Sequence, residues 1–277
     1  MALTINTNTV SLNAQRNLGS SQSSLATSMQ RLSSGLRVNS AKDDSAGLAI
    51  AERMNTQVRG NNVAIRNAND AISLSQTAEG AIGKVGDMLQ RMRELAVQSA
   101  NATNGTADRL NLDAEFQQLG LEVTRTVTNT RFNGQNIIGA NAGTQTFQVG
   151  ANNTDVVSVV TSNLASTAGT IASAVGSVIT GTDATAASAA MANIDAALAT
   201  VNTERAMYGA VQNRFSSIIS TLQVSVENDS AARGRIMDAD FASETANLSK
   251  AQILQQAGTA MVAQANQLPQ MVLSLIR

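Results

Sequence analysis

The sequence predicts a mainly α protein. It should form a long antiparallel helical hairpin or bundle, with paired terminal coiled-coil helices and a small β-hairpin region at mid-chain. Three observations predict this. Apolar residues recur at three- and four-residue steps over most of the chain, the spacing that lines one face of a helix. Aromatic residues make up only 2% of the 277 residues and there is one proline, so cores must be thin and helices can be long. The pattern is also palindromic: short helix, break, long helix, tip, long helix, break, short helix.

The same composition narrows the function. Cysteine and histidine are absent. Thiol nucleophiles, disulfides, imidazole bases and nearly all zinc or iron sites are thereby removed, and no carboxylate run resembles a calcium loop. We expect no enzyme, cofactor or metal. A net charge of -1 gives no reason to expect nucleic acid or an anionic membrane as partner. Residues 1–18 have no early basic residue and no apolar core, unlike a cleavable secretory signal. No run approaches the roughly 18 apolar residues of a membrane span.

Thr4–Thr9 is polar. A narrow seam then runs through Leu18, Leu25, Met29, Leu32 and Leu36, until Gly35 and Asn39–Ser45 interrupt it. Asp43, Asp44 or Ser45 would cap the next helix. That helix, from Ser45 to Ala100, carries Ala51, Val58, Ile65 and Ile72. The register shifts near Glu79, and the stripe resumes at Ile82, Val85, Leu89, Met92 and Ala96. Gly80, Gly83 and Gly86 are assigned to close helix packing. A phosphate loop would need Ser or Thr after Lys84, where Val85 stands, and a preceding strand. Asn101–Thr106 is a turn, and Leu112, Phe116, Leu119, Val123 and Val127 mark another helix.

The period then becomes strand-like. Asn133-Gly134 favours a tight primed turn. Ile137-Ile138, Phe147–Val149 and Val156–Val160 are short β-rich runs in one or two hairpins. The stretch from Thr161 to Ala190, rich in Ser, Thr, Ala and Gly, is expected to be an exposed loop or tip. The return helix, roughly Ala187–Arg233, carries Met191, Ile194, Leu198, Val201, Tyr208, Val211, Phe215, Ile218 and Leu222, with Arg205 on the seam and snorkelling at the bundle edge. A break around Arg233-Gly234 follows.

The last stretch, Glu244–Arg277, places Leu254, Ala257, Met261, Ala265, Leu268, Val272 and Leu275 on one narrow face. Such a seam needs a partner, because burying its large side chains gains about 1.5–3 kcal/mol each. Ordering some thirty residues costs on the order of 1–2 kcal/mol apiece. The seams at the two chain ends are expected to lie side by side. Three regions are expected: 1–43 with 236–277, an inner coiled-coil domain; 44–160 with 187–235, the long bundle with its hairpins; and 161–186, a variable tip.

At the level of motifs the chain resembles bacterial flagellin, from Met1 to about Gly139 and from about Ile194 to Arg277. The resemblance is carried by Arg31-Leu32-Ser33-Ser34-Gly35-Leu36-Arg37, Asn39-Ser40-Ala41-Lys42-Asp43-Asp44, Arg66-Asn67-Ala68-Asn69-Asp70, and Gln90-Arg91-Met92-Arg93-Glu94-Leu95-Ala96-Val97-Gln98. Phe132-Asn133-Gly134-Gln135, Gln212-Asn213-Arg214 and Ala265-Asn266-Gln267 complete it. The middle departs, since larger members carry outer domains there.

The resemblance implies a secreted, extracellular structural subunit of the bacterial flagellum, exported unfolded by the flagellar type III system and polymerising with itself into the filament. It implies partners in an export chaperone, the cap and the hook-junction proteins. The core of self-assembly would be Leu18, Leu25, Met29, Leu32, Leu254, Met261, Leu268, Val272 and Leu275. Phe132, Asn133 and Gly134 would belong to the hairpin that switches supercoil. In some members a flagellin-sensing Toll-like receptor binds positions that match Arg91, Leu95, Gln98 and Glu115. The competing class, a chemoreceptor-like signalling hairpin, fits the long helices but not the mid-chain β-hairpins or the paired terminal seams.

Overall fold

The computed structural model describes residues 7–140, 142–165 and 169–276, the side chains of 269–276 excepted. The elements are α1 (Thr9–Ser34), α2 (Ser45–Ser99), α3 (Thr106–Asn129), β1 (Arg131–Phe132), β2 (Gln135–Asn136), β3 (Thr144–Gln148), β4 (Val156–Val160), α4 (Thr170–Val175), α5 (Thr185–Met237) and α6 (Phe241–Ile276). They fall into two compact units, Met1–Gln57 with Glu227–Arg277, and Val58–Val226. These divisions cut inside α2 and α5 rather than at their ends, so the first turns of α2 and the last of α5 group with the terminal helices.

In the terminal unit, α1 begins earlier than its first leucine. The Asn8 side chain accepts the Ser11 N–H at 3.0 Å and caps it. The helix stops at Gly35, whose φ of 70° suits glycine and whose N–H returns to the Arg31 carbonyl at 2.8 Å. Two breaks lie against each other here. Arg37 N–H donates to the Met237 carbonyl at 2.6 Å, Ala239 N–H donates to that of Gly35 at 3.0 Å, and Leu36 bridges Asp238 antiparallel. Val38, Ala51 and Met237 are buried together beside them. Asp43 accepts from Asn39 and Ser40, which hold its carboxyl below the usual range, Ser40 contributing most. Asp44 caps α2 through the Gly47 N–H at 2.8 Å.

The second break lies at Asp238–Asp240, not at Arg233-Gly234. α5 runs through Gly234. An interior glycine costs only about 1 kcal/mol, and the stop comes where Asp240 takes the N–H of Ala242 at 3.0 Å to start α6.

In the central unit, α2 and α5 run antiparallel. Arg93 bonds Asp195 at 2.7 Å, Gly86 faces Val201, and Gln212 bonds Glu79 at 2.8 Å. Buried positions of α2 include an unbroken series in steps of three and four, Asn61, Ala64, Ala68, Ala71, Ser75, Ala78, Ile82, Val85, Leu89, Met92, Ala96 and Ser99, with Leu74, Gly86 and Leu95 buried beside it. The expected register shift near Glu79 is therefore absent. Val58, Ile65 and Ile72 are half-buried flanks, and small residues hold the true seam. On α5 the seam passes through Ile194, Val201, Tyr208 and Phe215, all buried; Arg205 is exposed, and the half-buried residue beside it is Glu204. α3 adds Phe116, Val123 and Val127 to the core.

Asp195 lies below the usual carboxylate range because Arg93 hydrogen-bonds it. A depressed carboxyl contributes stability above its ordinary pKa and loses it as pH falls through the folded value. Asp195→Asn should thus lower the urea midpoint slightly at neutral pH, and the gap from the native chain should close on acidification. A gap that persists at low pH would show that the ion pair is not its source.

There are two hairpins. β1 pairs with β2, and β3 with β4 in the register Thr144↔Val160 to Gln148↔Val156. Ile137 and Ile138 are not strand; they follow β2 and plug the core. The second hairpin lays Val157 and Val159 onto Ala68, Ala71 and Phe215, and Asn67 donates to the Gln148 carbonyl at 2.9 Å. Its turn comes so close to α2 that a Cβ at Gly60 would stand 2.7 Å from that of Ala151. Gly60→Val should destabilise the unit by about 2 kcal/mol, as overpacking does. An unchanged urea midpoint would show that the turn gives way freely.

The stretch 161–186, expected to be an exposed tip, contributes to the core at several of its described residues and is half-buried or exposed at the others. Leu164, Ile171, Ala174 and Ile179 are buried, and α4 packs on α3 so closely that a Cβ at Gly120 would lie 3.1 Å from Val175. Ile179 is held at both ends: its N–H by Asp113 at 2.9 Å and its carbonyl by the Ser99 hydroxyl at 2.5 Å. Buried Arg109 donates to the carbonyls of Asp183, Gly181 and Asn101. Of its few large apolar residues, Leu164, Ile171 and Ile179 are inserted, Val175 is half-buried and Val178 is exposed.

Candidate assembly surfaces

α1 and α6 pair antiparallel, and both seams follow a strict three-four rhythm. On α1 it is Ser11, Ala14, Leu18, Ser21, Leu25, Ser28 and Leu32; on α6 it is Glu244, Leu248, Ala251, Gln255, Gly258, Val262 and Ala265, all buried or half-buried. Asn8 Nδ2 donates to the Ala265 carbonyl at 2.7 Å and the Ser11 hydroxyl to Asn266 at 2.7 Å. Leu18 sits against Gly258, and Arg31 lies 3.9 Å from buried Glu244.

This seam differs from the expected one. Leu18, Leu25 and Leu32 do take part, but Met29 is 57% exposed, Leu254 47% and Met261 61%. Leu254, Ala257 and Met261 each precede a seam residue by one. One residue is about 100° of rotation, so their stripe faces sideways from the α1 contact. Leu268 is half-buried, while the side chains of Val272 and Leu275 lie outside the described residues. Leu254 and Met261 line an open groove with Val10 and Leu18, apolar and uncovered within the chain. The seam residues outside the expected stripes are Ser11, Ala14, Ser21 and Ser28 on α1 and Glu244, Leu248, Ala251, Gln255, Gly258 and Val262 on α6. Their strict spacing was the signal, hidden by larger neighbours.

A second surface lies on α2 and α3. Arg91 gives two hydrogen bonds to Glu115, at 3.0 and 2.8 Å, and one to Glu94 at 2.9 Å. The Arg91 and Glu115 side chains are about half exposed, and Gln98 is exposed. Leu95 departs from this surface: at 1% exposure it is core. Its neighbours Met92 and Ala96 are on the buried seam, and Leu95 turns into the same interior. The four positions therefore do not form one face.

The turn at Phe132–Gln135 has φ of 50° at Asn133 and 80° at Gly134, the primed geometry that the Asn-Gly pair favours. Asn133 and Gly134 are exposed, while Phe132 is half-buried against the main core. Asn136 fixes the base by donating to the Thr128 carbonyl and accepting the Gly139 N–H at 2.7 Å.

Among the described residues, no helix is long and apolar enough to cross a membrane. The description "Bacterial flagellin N-terminal helical region" matches residues 5–146, and "Bacterial flagellin C-terminal helical region" matches 191–276. Residues 147–190, which include β4 and α4, fall outside both. A flagellin of Halalkalibacterium halodurans is 45% identical over 273 residues, covering 99% of each chain. The flagellar filament 33 kDa core protein of Treponema phagedenis is 40% identical over 285 aligned residues, again covering 99% of each. The crystal structure of Bacillus cereus flagellin superposes with a TM-score of 0.50 at 29% identity, covering 57% of this chain and 88% of that one. Two family regions at the two ends, and relatives similar along the whole length, show that this chain belongs to the bacterial flagellins.

Proposed function

We propose that the chain polymerises with itself into the extracellular flagellar filament, the propeller of bacterial motility, through the apolar stripe that the α1–α6 pair leaves uncovered. One observation carries this. Leu254 and Met261 are large, apolar and exposed beside a seam already closed within the chain. A second copy is the partner that a filament subunit supplies. Negative-stain microscopy of purified monomer, before and after seeding or salting with ammonium sulfate, tests it. Long uniform tubes are expected; persistent monomer with intact termini by mass would overturn it.

Export as an unfolded chain by the type III route, with a chaperone, cap and hook-junction proteins as partners, rests on family membership and agrees with a cysteine-free sequence. Phe132–Gly134 as a supercoil-switching hairpin rests on the same footing, and its exposed primed turn is compatible with such a role. A second reading concerns the free monomer. Exposed Arg91, Gln98 and Glu115 offer a polar face to a flagellin-sensing Toll-like receptor. A reporter-cell assay should respond to wild-type monomer and lose most of its response with Arg91→Ala; an inert wild type would dispose of it. Leu95→Ala is unsuited to that test, since it would open the core.

A further inference from the structure

A seam of small residues has a registration problem. Ser11, Ala14, Ser21 and Ser28 on α1, and Ala251 and Ala265 on α6, resemble one another from turn to turn. A slip of one heptad would still set small residues against small ones. Such a slip displaces one helix along the other by about 10 Å, seven residues at 1.5 Å each. The apolar groove takes Val10 and Leu18 from α1 and Leu254 and Met261 from α6. It therefore exists as one surface in one register only.

We infer that Leu18 and Gly258 are the pair that sets the register of α1 on α6, and with it the assembly groove. Gly258 is the one glycine in the seam of α6, and Leu18 fills the space its missing side chain leaves. A Cβ at position 258 would stand 3.1 Å from Leu18 Cδ1 and 3.6 Å from Leu18 Cβ. Seven-residue steps from this contact bring Leu25 to the level of Ala251 and Leu32 to that of Glu244, where Arg31 is found. A slipped pairing would set Ser11 or Leu25 in place of Leu18 against Gly258 and leave Glu244 away from Arg31. Buried polar groups and shape mismatches of this kind select among coiled-coil registers. The inference rests on assembly through this groove for its biological consequence, but not for its geometry.

Two measurements on the full chain test it. The first is engineered disulfide formation, which needs no filament. The chain has no cysteine of its own, and a Cβ separation of 3.6 Å lies within the disulfide range. Leu18→Cys with Gly258→Cys should close within the monomer under mild oxidation. It should do so at least tenfold faster than Leu18→Cys with Ala251→Cys or with Ala265→Cys, one heptad to either side. Equal rates, or a faster control, would overturn the register.

The second is the critical concentration for seeded assembly. Gly258→Leu should raise it tenfold or more. Adding Leu18→Ala, which moves the large residue to the other helix, should bring it back to within about threefold of wild type. A Gly258→Leu chain that assembles normally, or a double variant no better than the single, would overturn the size-matched pair. If the Leu18–Gly258 disulfide closes selectively while wild-type chain never forms filaments, the register stands and the assembly reading falls.

Discussion

Met261→Asp is expected to abolish filament formation while leaving the helix content of the monomer unchanged. Met261 is 61% exposed in the single chain, so a carboxylate there stays solvated and costs the fold little. In the filament the same position would be covered by a neighbouring subunit. Desolvating an unpaired carboxylate costs several kcal/mol even after relaxation, so a penalty of about 3 kcal/mol per subunit is conservative. Each 1.4 kcal/mol is tenfold, so the critical concentration should rise by roughly two orders of magnitude or more. Sedimentation of seeded assemblies measures the loss, and far-ultraviolet circular dichroism of the supernatant measures the monomer. Ala265→Asp makes the contrast. Ala265 is buried in the α1–α6 seam, so its substitution should remove helix signal as well as filaments. Normal filaments from Met261→Asp would place the subunit contact elsewhere.

Phe215→Ala should be among the most destabilising single changes in the central unit, at about 3–5 kcal/mol. Phe215 is fully buried and meets Phe147 edge-to-face, with ring centres 5.8 Å apart at 81°. It also supports Val157 and Val159, the inward residues of β4. A two-stranded hairpin is marginal alone in water, so this aromatic contact is much of what keeps β3–β4 on the helices. Urea unfolding should show a lower midpoint. Amide exchange should speed up first at Thr146–Gln148 and Val156–Ser158, while α3 remains protected. Uniform loss of protection across α2, α3 and the hairpin would mean that the hairpin is not a separate element held by Phe215.

The five long helices, their order and the first break were legible because long apolar periodicity survives local ambiguity, whereas the second break lies at Asp238–Asp240, beyond Arg233-Gly234. The primed turn was legible because Asn133-Gly134 satisfies its two positive φ values without a tertiary context. The seams of α1, α5 and the second half of α2 were legible in both period and phase, and those of α6 and the first half of α2 in period only. Large apolar residues were weighted most heavily, yet Ala64, Ala68, Ala71, Ser75 and Ala78 on α2, and Ala251 and Gly258 on α6, hold the contacts. Helices that approach closely leave room only for such side chains, and the larger residues move to the flanks. The tip was misread for a related reason. Leu164, Ile171 and Ile179 are too sparse to show a period, and the groups that fix them are distant in sequence: Ser99, Arg109 and Asp113. Of the candidate receptor positions, Arg91, Gln98 and Glu115 are exposed. Leu95 sits one residue from the seam position Ala96, where sequence alone does not separate interior from exterior.

The small-residue seam also has an entropic side. Alanine and glycine have no rotamers to freeze, and serine few, whereas leucine or methionine gives up appreciable freedom on burial. At the Ala, Ser and Gly positions, zipping α1 onto α6 is therefore cheap in side-chain order, and the hydrophobic return comes from Leu18, Leu25, Leu32, Leu248 and Val262. Leu254 and Met261, large and exposed, lie on the stripe beside that seam. A second subunit docked on that stripe would bury Leu254 and Met261 as well, so assembly would add to the order of the terminal helices what the pairing within one chain leaves in water.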